Sequence, residues 1–291
     1  VKTFGAIEAG GTKFVCGVGS GPDDLRTFQI PTTSPEETIG AAVRILQNEA
    51  KGALEAVGIG SFGPVELDRN SPQYGYITST PKVGWKDTDL AGEVARALVV
   101  PVAFNTDVNA AALGETRWGA GRGLKSCLYL TVGTGIGGGA MFAGAPLQGF
   151  NHPEMGHIRI PHDLTADPFP GVCPFHGDCL EGLASGPALA ARWGKPAAEL
   201  PPAHPAWDLE ARYLALGING FVCTMAPQRV ILGGGVMRQA SLFPLIHQKL
   251  TKLLNGYLHP PEPYVVPPRL GDRAGILGSL ALAIDLAAAT R

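Results

Sequence analysis

Residues 152–182 read HPEMGHIRIPHDLTADPFPGVCPFHGDCLEG, placing four histidines, two cysteines and two glutamates in one short stretch. Zinc takes about four N or S ligands in a tetrahedral array. His157, Cys173, His176 and Cys179 supply that set: the C-x-x-H-x-x-C spacing wraps one ion, and the distant histidine closes the shell. A Cys173–Cys179 disulfide and a surface loop with incidental Cys and His are the alternatives, and a reducing compartment disfavours the first. His152 and His162 read as loop residues. A metal would also fix two carboxylates, because Glu154 lies three residues before His157 and Glu181 two after Cys179. Carboxylates accept hydrogen bonds from vicinal hydroxyls, while solvated loop charge is the plainer reading.

Two glycine turns offer a second chemistry. EAGGTK (8–13) and LTVGTGIGGG (130–139) each place glycines and a threonine between strand-like runs. Such turns present backbone N–H groups and a hydroxyl to phosphate oxygens, and lack of Cβ atoms permits close approach. Gly10, Gly11, Thr12, Lys13, Gly133, Thr134 and Gly135 are the candidate residues. An ordinary hairpin is the alternative for either turn. GTGIGG also matches G-x-G-x-x-G, but a dinucleotide fold needs a helix to start there, and the chain continues GAMFAGAPLQG, which fits a strand. No G-x-x-x-x-G-K-[ST] occurs, since Gly194-Lys195 is followed by proline. A third cluster, Gly233 to Gly235 in ILGGG, suits an adenine or ribose pocket or a tight strand-to-helix turn.

The elements that must position these residues follow from periodicity and caps. Phe4 to Gly19 reads as two strands about a tight turn. Ser34, Pro35 and Glu37 form a capping signal for a helix from Pro35 to Lys51. A buried strand in LEAVGIGSFGP, a long loop over 65–86, a helix in DTDLAGEVARALV, a short strand VAFNTD and a helix VNAAALGETRWG follow. The order then partly repeats: CLYLTVGTGIGGGAMFAG is strand, turn and strand, before a helix Trp207–Met225, a strand RVILGGG and a helix Leu242–Leu258. The last helix, Ala274–Ala289, puts Leu277, Leu280, Ala281 and Ile284 on one face for packing.

Composition bounds the function. With 291 residues and 45% hydrophobic content the chain builds one large domain or two ordinary ones. Lys plus Arg (23) nearly balance Asp plus Glu (25), leaving no net field for nucleic acid or an anionic membrane, so a small ligand is expected. LALAIDLAAA is too short, and broken by Asp285, to span a bilayer. A cytoplasmic protein is expected, with no signal peptide at its start. Cys16, Cys127 and Cys223 are expected to be buried free thiols.

EAGGTK, NTDVNAAALGE, LTVGTGIGGG, HPEMGH with CPFHGDCLEG, and ILGGG, in this order, resemble the ROK family of bacterial sugar kinases, and within it the fructokinases. The resemblance implies an α/β fold of two actin-like, ribonuclease-H-type domains with a cleft between them. The expected domains are 1–115, with the helix at about 274–291 packing back onto it, and 116–273, with a zinc-binding insertion at about 152–181. It implies ATP, Mg²⁺ and Zn²⁺ as cofactors, a hexose as substrate, and a homodimer. Asp107 maps onto the family's catalytic aspartate, and an N-cap of the following helix is its structural alternative. Glu154, His157 and Glu181 map onto the hexose ring, joined by Gly63 and Thr106. Pro187 and Gly233 to Gly235 map beside the nucleotide, and Glu8 near the magnesium, directly or through water. Glu8 stands where many members have Asp, Thr106 where hexokinase-like members usually have Asn, and His176 replaces a cysteine of the common zinc motif. Fructose rests on the resemblance, with mannose, glucose or a non-catalytic hexose-binding regulator as alternatives.

Overall fold

The computed structural model describes residues 2–289. The first sheet is built from β1 (Phe4–Ala9), β2 (Lys13–Gly19), β3 (Arg26–Pro31), β4 (Val57–Ser61) and β5 (Val102–Thr106), in the order β3-β2-β1-β4-β5. Strands β1 to β3 are antiparallel, and β4 and β5 run parallel to β1, with Glu8 opposite Gly60 and Ser61 opposite Thr106. Helices α1 (Pro35–Glu49), α2 (Leu90–Leu98) and α3 (Asp107–Trp118) are interleaved. Ser34 accepts from Glu37 N–H as expected, and Asp89 caps α2.

The second sheet holds β6 (Ser126–Val132), β7 (Ile136–Phe142), β8 (Ala145–Pro146), β9 (Val230–Gly233) and β10 (Val265–Val266), ordered β10-β9-β6-β7-β8. Strand β7 begins inside GTGIGG, at Ile136, so no helix opens there and the dinucleotide fingerprint is excluded. Four helices, α4 (Leu180–Ala184), α5 (Gly186–Trp193), α6 (Ala206–Met225) and α7 (Leu242–Leu254), belong with it. Helix α7 stops four residues before the expected Leu258 because Asn255 turns left-handed at φ 46°. Cys223 is exposed on α6, against expectation, while Cys16 and Cys127 are buried.

The chain divides into two compact units. One comprises Val1–Arg122, Ala145–Pro153 and Asp272–Arg291, the other Gly123–Gly144 and Glu154–Gly271. The opening segment of the first unit runs to Arg122, and within it Glu115 accepts from Ala120 N–H through its carboxylate at 2.6 Å and from Gly121 N–H through its carbonyl at 2.9 Å. His152 falls with the first unit, where its Nε2 accepts from Val65 N–H at 3.1 Å.

The last helix, α8 (Ala274–Ala289), packs in the first unit against β1, β4 and α3. The sequence suggested one buried face, but every residue from Ala274 to Ala281 is buried, because sheet and α3 cover it on two sides. Small residues permit this. A Cβ on Gly278 would lie 1.6 Å from the Ala110 carbonyl oxygen, and one on Gly58 1.9 Å from that of Ser279. Both obstacles are backbone. Gly278→Ala is therefore expected to destabilise by about 3 kcal/mol or more, lowering Tm by roughly 6–12 °C. Gly40→Ala, within α1 and clear of backbone, should instead stabilise by up to about 1 kcal/mol. Thermal unfolding of the two variants checks the opposite signs.

Candidate functional site

In the second unit the expected metal ligands converge. One donor atom each from His157, Cys173, His176 and Cys179 lies within 4.8 Å of all the others. Cys173 Sγ is 3.7 Å from the Nδ1 atoms of His157 and His176, and Cys179 Sγ is 3.7 Å from His157 Nδ1. Zn–S and Zn–N bonds of about 2.3 and 2.0–2.1 Å at tetrahedral angles place S and N about 3.6 Å apart. The set fits zinc in donor type, number and spacing. The cysteines are free thiols, so no disulfide forms. Local backbone shapes the nest: Cys173 and Gly177 exchange both N–H···O bonds, and Gly177 takes φ 62°. His157 ends a short 3-10 turn, and a Cβ on Gly156 would stand 1.8 Å from the Ile136 carbonyl oxygen, so this segment lies directly on β7.

The carboxylates flank this cluster. Cys179 Sγ caps α4 by accepting from Gly182 N–H at 3.4 Å, and Glu181 on that helix accepts from Ile136 N–H at 2.8 Å through Oε2. Glu181 thus sits at the β6–β7 turn. Glu154 is exposed, and its carbonyl takes the His157 N–H at 3.0 Å. The histidines without an expected role have structural ones. Burial holds His152 below its usual pKa, keeping it neutral to accept from Val65, and His162 lies between Asp178 and Asp167.

Both glycine turns are tight and outward-facing. Gly10 N–H donates to the Lys13 carbonyl at 3.0 Å, with Gly11, Thr12 and Lys13 exposed. Gly133 N–H reaches the Gly135 carbonyl at 2.9 Å, Gly186 N–H reaches that of Gly133 at 2.7 Å, and Thr134 is exposed. Pro187 is exposed in the first turn of α5. Gly233 and Gly234 have packing reasons to be glycine: a Cβ would meet Tyr129 Oη at 2.5 Å and the Val132 carbonyl oxygen at 2.3 Å. Gly235 faces open space.

In the first unit, Asp107 is the opening residue of α3, but it is not the cap. Thr106, 4% exposed as a residue, accepts from Asn109 N–H at 3.1 Å through Oγ1, so the hydroxyl expected at the sugar is engaged in capping. Asp107 Oδ1 accepts from Val108 N–H at 2.8 Å, and burial pushes its pKa up to about 6. Glu8 on β1 is pushed up to about 7, by burial first and then by the charge of Asp107, against Lys13 and the Ile276 N–H. A Cβ on Gly275 would touch the Glu8 carboxylate at 2.4 Å, so Glu8 lies at the start of α8. Sequence reasoning missed this pairing, since residues 8 and 275 carry no shared local signal. A hard oxygen donor at Glu8 suits Mg²⁺. Gly63 precedes a cis peptide to Pro64, and its position approaches His152.

The sequence model described as "ROK family" matches residues 4–286. A relative from Bacillus subtilis (strain 168) is 50% identical over 96% of this chain and 95% of its own. The fructokinase of Lactococcus lactis subsp. cremoris is 43% identical over 97% of each chain. Among solved structures, the ROK hexokinase from Thermus thermophilus aligns with a TM-score of 0.81 at 30% identity, covering 99% of both chains. Among the described residues no helix is long and apolar enough to cross a membrane.

Proposed function

The chain belongs to the ROK family, and from that premise we propose the reaction its residues perform. It transfers the γ-phosphoryl group of ATP to a hexose, D-fructose, giving ADP and D-fructose 6-phosphate. Four relatives named fructokinase, at 42–43% identity over nearly their whole length, support the sugar. The observation that carries the chemistry is the place of Asp107: a carboxylate at a helix start, released from capping duty by Thr106, with burial pushing its pKa up to about 6.

The sugar O6–H gives its proton to Asp107 as the O6–P bond forms, and the bridging P–O bond of ATP breaks with its electrons leaving on ADP. Glu154, His157 and Glu181 accept or donate to the ring hydroxyls and fix O6. The two glycine turns donate N–H groups to phosphate oxygens, with Thr12, Thr134 and Lys13 adding side-chain donors, and Gly235 and Pro187 border the nucleoside. Glu8 would hold Mg²⁺, directly or through water, and the ion would supply neutralisation of phosphate charge. His157, Cys173, His176 and Cys179 would hold Zn²⁺, which would have a structural part, fixing the segment that carries Glu154 and Glu181. Dependence on ATP and on reduced thiols fits the cytoplasm, and a homodimer is the assembly the family resemblance implies.

Coupled phosphorylation assays across fructose, mannose, glucose and N-acetylated amino sugars test the reading. Fructose is expected to lead in kcat/KM by about tenfold or more, since a site that hydrogen-bonds each hydroxyl rejects isomers strongly. A leading aldohexose would replace the assigned sugar, and no turnover with any hexose would reject the kinase activity.

A further inference from the structure

The second unit buries a polar network that the proposed chemistry does not use. The Arg192 guanidinium on α5 stacks 4.2 Å over the Phe169 ring and lies 3.3 Å from Asp167 Oδ2, which also accepts from the Tyr213 hydroxyl on α6. His162 faces the Asp167 carbonyl oxygen through Nε2 at 3.0 Å and Asp178 Oδ2 through Nδ1 at 3.2 Å. Asp178 immediately precedes Cys179, the N-cap of α4. At the other end of the same helix, Arg192 Nη1 donates to the Leu183 carbonyl at 2.9 Å.

These contacts close a ring: from the end of α4 through Arg192, Asp167, His162 and Asp178 to Cys179 and the start of α4. Helix α4 has five residues, too few to hold its own conformation, and its last carbonyls lack partners within the helix. Glu181 stands on it. We propose that Arg192 is a positioning residue for Glu181, gripping α4 through the Leu183 carbonyl so that the carboxylate is aimed at the hexose from a side the metal ligands do not brace. The inference rests on the reading of Glu181 as a sugar ligand. Lysine cannot replace this group, because one ammonium does not stack on Phe169 while facing the Asp167 carboxylate and donating to the Leu183 carbonyl.

The test is a double-mutant cycle on the zinc-loaded full chain, with Arg192→Lys and Glu181→Gln measured singly and together. Arg192→Lys is expected to raise the KM for fructose by about fivefold or more, within the range of coupled neighbours, while the KM for ATP and the zinc content hold. In the Glu181→Gln background the same change should alter the fructose KM by less than about twofold, because the group being aimed is gone. Additive effects, or a folded Arg192→Lys with an unchanged fructose KM, overturn the role of Arg192. An unchanged fructose KM in Glu181→Gln alone overturns the sugar-ligand reading instead. Should Arg192→Lys fail to fold, Tyr213→Phe, which removes one hydroxyl from Asp167, decides by the same criterion: coupling to Glu181→Gln supports the grip, and additivity overturns it.

Discussion

Asp107→Asn should lower kcat by about 10²–10⁴-fold, the contribution of a positioned proton acceptor, without weakening the fold. The cap of α3 is Thr106, so the amide removes no cap. It also removes a carboxylate whose pKa is raised by burial from 3.8 to about 6. A raised folded pKa means that this group's contribution to stability is full below about 3.8 and lost as pH rises through about 6. At pH 8 the variant should therefore melt at or above the wild-type Tm, and the gap should close below pH 4. Wild-type turnover should fall as pH drops through about 6, as the base takes up its proton, and the residual rate of the variant should lack that limb. A folded variant that keeps more than about a tenth of the wild-type rate would reject Asp107 as the base.

Cys179→Ser tests the metal cluster with the cap preserved, since a serine hydroxyl can accept from Gly182 N–H as the thiol does. Zinc should drop from about one equivalent per chain to a small fraction, because losing a ligand exceeds the roughly 10–100-fold effect of losing a ligand's own support. The KM for hexose should rise by about tenfold or more, for the segment bearing Glu154 and Glu181 is no longer pinned. The KM for ATP should change little, because Gly186 holds the Gly133 carbonyl independently of the thiols. Elemental analysis with paired KM measurements reads all three. Retained zinc would remove Cys179 from the ligand set, and equal loss of both affinities would show that the loop supports the whole unit.

Much of this was legible because the relevant signals are local. The caps at Ser34, the strand-like runs around EAGGTK and GTGIGG, and the C-x-x-H-x-x-C spacing each sit within a few residues of what they specify. Strand β3 was not read: at a sheet edge its residues alternate between exposed and half-buried, leaving no apolar run. Helix α4 was missed because five residues hold less than two turns of period. The capping role fell to Thr106 rather than Asp107, a shift of one position within the uncertainty of element ends. Glu8 against Gly275 and His152 against Val65 are long-range contacts made by packing, for which no local pattern exists. The ring through Arg192 joins residues of two helices and two loops, and the sequence marks none of them as partners.

The position of α8 in the chain bears on how the protein is made. Its buried flank completes the packing over β1, β4 and α3, yet its residues lie beyond all of the second unit in sequence. At about 5–20 residues per second, residues 123–271 take roughly 7–30 s to synthesise. During that interval a nascent first unit has Gly58, Gly60 and the Ala110 side of α3 with no helix to cover them. The second unit is translated in full before that gap can be filled, so the N-terminal part of the protein is expected to mature last, and to be the part that chaperones engage on the ribosome.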